Sequence, residues 1–150
     1  MAAGEVTIRA LRQADHAGWL ELWRGYQAFY KVDIPTDVTD LTFARLLDPA
    51  EPLWCALAVR DEAIAGLVHF VRHRSTWTRG DYCYLQDLFT TEAARGAGVG
   101  RALIEHVYAR AREWRCSRVY WLTHETNTPA MGLYDQMAER PGFVQYRKTL

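Results

Sequence analysis

The feature that most constrains this chain is a crowd of glycines. Gly96, Gly98 and Gly100 alternate within "DLFTTEAARGAGVGRALIEHV" (87–107), between an apolar strand-like run and a helical one. Glycines at a strand-to-helix junction mark a backbone that a ligand approaches closely. The helix start that follows offers unpaired N–H groups and the positive end of the helix dipole, so the junction is built for an anion. Its spelling excludes two familiar phosphate loops. A Walker loop needs Lys and then Ser or Thr after its last glycine, whereas Gly100 is followed by Arg101 and Ala102. A Rossmann fingerprint reads G-x-G-x-x-G after the first strand of a βαβ unit. Here the pattern is G-x-G-x-G, and it falls in the second half of the chain.

Periodicity around the loop sets the element order. Val6, Ile8 and Ala10 alternate with polar residues, predicting a strand over 5–11. Asp15 reads as the cap of a helix running to about Lys31, with Trp19, Leu22, Trp23, Tyr26 and Tyr30 forming one core-facing stripe. A second helix over 38–48 stops at Pro49 and Pro52. Three runs, 53–60, 63–71 and 81–91, predict an antiparallel meander. Val99, Leu103, Ile104, Val107 and Ala111 recur at helical spacing. "RVYWLT" (118–123) is a strand, Thr128-Pro129 opens a helix over about 129–138, and "FVQYRKTL" (143–150) is a last strand. The expectation is one α/β domain over 1–150, core about 5–150, in the order β-α-α-β-β-β-α-β-α-β. Its sheet is mixed, mostly antiparallel and flanked by helices. The long helix crosses over between strands that should be parallel neighbours.

Eighteen basic residues balance eighteen acidic ones, so net charge points to no nucleic-acid or anionic-membrane partner. No run approaches the ~18 apolar residues of a membrane span, and "MAAGEVTIRA" lacks the form of a signal peptide. Cys55, Cys83 and Cys116 are odd in number and show no CxxC spacing, which predicts reduced thiols, no metal site and a cytoplasmic protein.

Arg95-Gly96-Ala97-Gly98-Val99-Gly100, an R-x-x-G-x-G pattern in this element order, resembles the GNAT superfamily of acetyl-CoA-dependent N-acetyltransferases. "NTPAMGLYDQMAERPGF" (127–143) looks like the family's second cofactor segment. Both segments resemble the branch of polyamine and yeast histone-type acetyltransferases. The resemblance implies acetyl-CoA as cosubstrate, with no metal. Residues 95–100 would wrap the pyrophosphate, with Arg95 and Arg101 as phosphate partners. Leu88, Phe89 and Thr90 would flank the pantetheine arm. Two residues depart from the pattern: Glu92 stands where many members have Pro, and Gln86 where polyamine-acetylating relatives carry Glu.

Acetyl transfer from a thioester to an amine needs a held donor, a neutral amine, an oxyanion donor and a proton for the leaving thiolate. A main-chain N–H near Leu88–Phe89 would serve the oxyanion if the strand bulges there. Tyr134 is the expected acid, since a phenol near ~10 can protonate a thiolate near ~8.5. Asn127 reads equally as cofactor contact or cap, and Arg101 as phosphate partner or solvated helix residue. Asp87, Glu125 and His124 are open as the base. The acceptor is expected to be a small-molecule or peptide amine (a polyamine, small amine or lysine-like group), drawn by Asp33, Asp37 and Glu125. No cysteine but Cys83 lies near the donor motif, which favours direct transfer in a ternary complex. A homodimer fits the family, and a non-catalytic CoA-responsive module is the alternative function.

Overall fold

Alternation over the first half of the chain produces a meander, and the long helix closes it with a parallel strand. The structure, a computed structural model, describes residues 4–150. Five strands form one sheet in chain order: β1 (Thr7–Ala10), β2 (Leu53–Arg60), β3 (Ala63–His73), β4 (Tyr82–Thr90) and β5 (Arg118–Tyr120). The first three pairings are antiparallel, and β4 meets β5 parallel, as the crossover predicts. The turn from β2 to β3 is tight because Asp61 (φ 52°) and Glu62 (φ 63°) both sit in the left-handed region. That geometry matches the twist of the strands it joins.

Helices α1 (His16–Tyr30) and α2 (Thr36–Leu47) cover one face of the sheet, and α3 (Val99–Glu113) covers the other. The α3 stripe of Val99, Leu103, Ile104, Val107 and Ala111 is fully buried, as its spacing predicts. At about 1.5–3 kcal/mol per large apolar side chain, this face anchors the helix. Gly66 lets the start of α3 sit low on the sheet. A Cβ there would lie 3.0 Å from the Phe89 carbonyl oxygen, 3.0 Å from Val99 Cγ1 and 3.1 Å from Leu103 Cδ1.

Three sequence expectations need correction. Asp15 occupies the cap position of α1, but its carboxylate makes no cap bond. It accepts from the Arg9 guanidinium at 2.7 and 2.8 Å and from the Arg12 N–H at 2.8 Å. The strand over 118–123 ends at Tyr120. The last strand is absent: α4 (Thr128–Met137) is followed by residues 138–150 with no helix or strand. Among the described residues nothing bonds the main chain of 143–150, and Phe143, Val144 and Tyr146 are exposed. Alternation predicts a strand only where a neighbour can complete its ladder, and three-residue β5 supplies none.

Two irregularities of β4 give the sheet its functional edge. Phe70 pairs with Leu85 and His69 with Asp87, leaving Gln86 as the extra, exposed residue of a β-bulge. Cys83 and Leu85 face α3 before the bulge. Beyond it Leu88 takes that face, and Asp87 and Phe89 turn towards α1. The second irregularity is a parting of strands. Only Tyr82–Tyr84 pair with β5, so β4 beyond Tyr84 has no strand on that side among the described residues.

Candidate functional site

A cleft of about 580 Å³ opens between the unpaired end of β4 and α4. Leu88, Phe89 and Thr90 form its β4 wall, as expected. The glycine loop closes one end, and every residue expected there lines the cleft except Ala97. Ala97 is exposed, and its N–H is bound to the Ala94 carbonyl at 3.3 Å. The Arg95 N–H is likewise taken, by the Glu92 carbonyl at 3.3 Å, so the loop does not offer all of its N–H groups. Gly96 (φ 79°) and Gly98 (φ 80°) supply the left-handed turns that aim the rest. The first intrahelical bond of α3 runs from Ala102 to Gly98. The N–H groups of Val99, Gly100 and Arg101 therefore stand free at a helix N-terminus, a built-in anion cradle.

The arginines are held from outside the loop. The Arg95 guanidinium lies 5.7 Å from the centroid of the Phe29 ring. Arg101 donates to the Gln136 side chain and so ties α3 to α4, which is more than a solvated position. Asn127 sits at the cap of α4 without a side-chain cap bond. Its amide donates to Thr123 Oγ1 at 3.1 Å, and the residue lines the cleft. Of its two readings, capping by the side chain is excluded.

Tyr134 reaches the cleft from α4, packed edge-on to Trp121 at 5.5 Å. Burial, with Tyr30 facing it, pushes its phenol up to about 12. Cys83 lies fully buried on the α3 face, where burial pushes its thiol up to about 12. It is no nucleophile for an acetyl-enzyme.

Among the candidate bases only Asp87 has a protected position. Its Oδ2 lies 3.0 Å from His69 Nδ1, and its side chain is 12% exposed. Three tyrosines, Tyr26, Tyr30 and Tyr84, have their phenols pushed up by burial first and by the Asp87 charge next. Tyr30 also lines the cleft, so this polar cluster adjoins its inner end. Glu125 and His124 are exposed on the turn after β5, where His124 bonds Thr126. Asp33 and Asp37 are exposed and line neither the cleft nor the smaller cavity beside Tyr84 and Tyr120.

Sequence reasoning missed Tyr30 as a cleft residue because the aromatic stripe of α1 reads as core throughout, and it missed Phe29 because that residue lies off the stripe. Trp19, Leu22 and Trp23 are indeed buried, but the stripe runs out at the cleft rim. It also missed His69. The signal was a histidine at an inward position of the aliphatic run "LVHFV".

The sequence profile of the Acetyltransferase (GNAT) family matches residues 19–138. The chain belongs to the GNAT acetyltransferase family. This acetyltransferase is 39% identical over 151 residues to the D-amino-acid N-acetyltransferase HPA3 of Saccharomyces cerevisiae, covering 99% of this chain and 94% of that protein. It is 27% identical over 136 residues to the peptidyl-lysine N-acetyltransferase YjaB of Escherichia coli, covering 88% and 80% of the two chains. Its fold matches the aminoglycoside N-acetyltransferase AAC(6')-Iy in complex with CoA, with a TM-score of 0.82, 18% identity and coverage of 100% and 98%. The acetyltransferase is thus an acetyl-CoA-dependent acyltransferase of the N-acetyltransferase type, acting on an amine acceptor. Among its described residues no His/Cys/Asp/Glu cluster is suited to hold a metal ion, and no helix is long and apolar enough to cross a membrane.

Proposed function

We propose that the protein moves the acetyl group of acetyl-CoA directly to a small cationic primary amine in a ternary complex. One observation carries this reading. A single cleft is lined by the anion cradle, by Tyr134 and by Tyr30, whose phenol feels the Asp87 charge. The free N–H groups of Val99, Gly100 and Arg101 hold the pyrophosphate. Arg95 and Arg101 stand beside it, and Gly96 shapes the turn. Leu88, Phe89 and Thr90 present the unpaired strand edge to the pantetheine arm, and Asn127 borders it from α4. The bulge at Gln86 supports the expected main-chain oxyanion donor near Leu88, since it frees the strand just before that residue.

In the reaction the amine nitrogen bonds to the thioester carbon, the carbon–sulfur bond breaks, and the sulfur leaves with the bonding pair. Tyr134 then delivers its proton to that sulfur, and the proton the nitrogen sheds in becoming an amide returns through water to the phenolate. Its raised pKa keeps it protonated across the working range, and burial lifts the departing thiol beside it in the same sense, which limits the mismatch between them. The acceptor arrives protonated, since an amine near ~10.4 is only about 0.1% neutral near pH 7. Asp87 attracts that ammonium and takes up its proton, directly or through water. Relatives named for D-amino acids and peptidyl-lysine support testing amino acids and lysine-like amines beside polyamines as acceptors.

The test is release of CoA with D- and L-amino acids, polyamines, aminoglycosides and basic peptides, alongside calorimetric binding of acetyl-CoA. Turnover with a cationic amine that is lost in Asp87→Asn supports the reading. Tight acetyl-CoA binding with no acceptor in any class would leave the non-catalytic module instead. The reading includes a homodimer: Phe143, Val144 and Tyr146 are exposed, and among the described residues nothing bonds the main chain of 143–150. Sedimentation of the full chain as a monomer would remove that part.

A further inference from the structure

Strand β3 puts a histidine among aliphatic neighbours and buries it. His69 is 5% exposed, and both of its ring nitrogens are engaged. Trp19, itself completely buried, brings its indole Nε1 to 3.0 Å from His69 Nε2. On the other side His69 Nδ1 lies 3.0 Å from Asp87 Oδ2. An indole N–H can only donate. His69 Nε2 must therefore accept, the ring proton sits on Nδ1, and Nδ1 donates to the carboxylate. The two bonds run in one direction, from Trp19 through His69 to Asp87.

The surroundings leave the ring little freedom. Trp23 packs edge-on against it at 4.8 Å, and Cys55 stands opposite it in the β2 register. The bulge at Gln86 is what brings Asp87 to this face. The Tyr26 phenol also bears on the Asp87 carboxylate, whose Oδ2 is the oxygen held by His69.

We propose that His69 is a positioning residue, fixed as an Nδ1–H donor by Trp19, and that it sets the orientation of Asp87 towards the acceptor amine. This rests on the reading that Asp87 meets that amine. Its content is separate: the donor on Nδ1 is what counts, beyond a ring that fills space.

Two substitutions divide the two bonds. Asparagine at 69 carries its amide nitrogen one bond from Cγ, where Nδ1 is, so His69→Asn can keep the donor to Asp87 while giving up the Trp19 contact. Glutamine reaches the place of Nε2, so His69→Gln can keep an acceptor for Trp19 while losing the donor to Asp87. The readout is steady-state turnover of the best cationic acceptor at saturating acetyl-CoA, with Asp87→Asn in parallel. For the acceptor kcat/KM, His69→Asn should stay within about threefold of the parent. His69→Gln should fall at least tenfold, the usual worth of a charge-assisted hydrogen bond. The KM for acetyl-CoA should not move in either. Equal losses in the two variants, or a parent-like His69→Gln, would overturn the role of the donor. A parent-like Asp87→Asn would instead sink the acceptor-end reading, so the two failures are distinguishable. A measurement on the unmodified protein guards against variants that fold poorly. In nitrogen-15 spectra of the ring, the unprotonated nitrogen of His69 should be Nε2, and finding it to be Nδ1 overturns the inference.

Discussion

Replacing Gly98 by asparagine and, separately, by aspartate divides the shape of the glycine loop from its charge. Gly98 has φ 80° and ψ 10°, and a Cβ built on it meets nothing within 4 Å. A side chain there meets no clash, so the cost is conformational: about 1–2 kcal/mol for most residues and less for Asn and Asp, which visit the left-handed region. For a chain of 150 residues, each kcal/mol lowers Tm by roughly 2–4 °C. Both variants should therefore fold and melt close to the parent and to each other. They differ by one charge, placed where the start of α3 offers its N–H groups. A carboxylate about 6 Å from a phosphate charge costs roughly 0.7–3 kcal/mol for dielectric values between about 80 and 20. Two such charges bring a mid-range penalty of about 3 kcal/mol, or ~10²-fold in Kd. Calorimetric titration with CoA should show Gly98→Asp bound about a hundredfold more weakly than Gly98→Asn, and the gap should shrink in about 0.5 M salt. Equal affinities in two folded variants would refute the placement of the pyrophosphate at this loop.

Other perturbations probe the same geometry. Gly66→Ala puts a methyl against three atoms at 3.0–3.1 Å. It should cost about 1–3 kcal/mol and raise the KM for acetyl-CoA by lifting the start of α3; unchanged melting and KM would contradict that packing. Tyr134→Phe should leave acetyl-CoA binding intact and reduce kcat by ~10²-fold where chemistry limits the rate, and a change under twofold would remove it as the acid. With its phenol held protonated up to about 12, the parent should show no alkaline loss of kcat from this group below about pH 10. The Arg9 hydrogen bonds hold the Asp15 carboxyl below its ordinary value. Their stabilisation is complete above the unfolded value near ~3.9 and is lost as pH falls through the depressed one. Parent Tm should drop more steeply in acid than that of Asp15→Asn, and parallel melting curves would count against the pair.

Much of this architecture is written in periodicities. The α3 stripe predicts its buried face residue by residue, and the crossover predicts the parallel pairing of β4 and β5. The loop is legible because a left-handed backbone near a ligand demands glycine, and Gly96 and Gly98 both meet that demand. What sequence could not carry is whatever depends on a neighbour brought from elsewhere. "FVQYRKTL" alternates well enough for a strand, yet strand formation needs a partner edge. Asp87 looked equal to Glu125 and His124 because its surroundings come from α1 and β3, distant in the chain. Ala97 looked like Gly96 and Gly98, and only the bond from its N–H to Ala94 shows that it is turned away.

The bulge in β4 acts on this enzyme as a change of reading frame acts on a gene. Every residue after Gln86 keeps its identity but changes the side of the sheet on which it is read. Drawn into a regular ladder instead of bulged out, that one exposed glutamine would delete no group of the cleft, yet it would put Asp87 on the α3 side and turn Leu88 towards His69. The meaning of the letters from 87 to 90 is therefore fixed by a residue with no chemistry of its own in the site. Carrying a role across relatives along this strand is sound only where they keep the same count of residues up to the bulge. A correct alignment of letters with the gap placed one position away would assign the carboxylate to the wrong side of the protein.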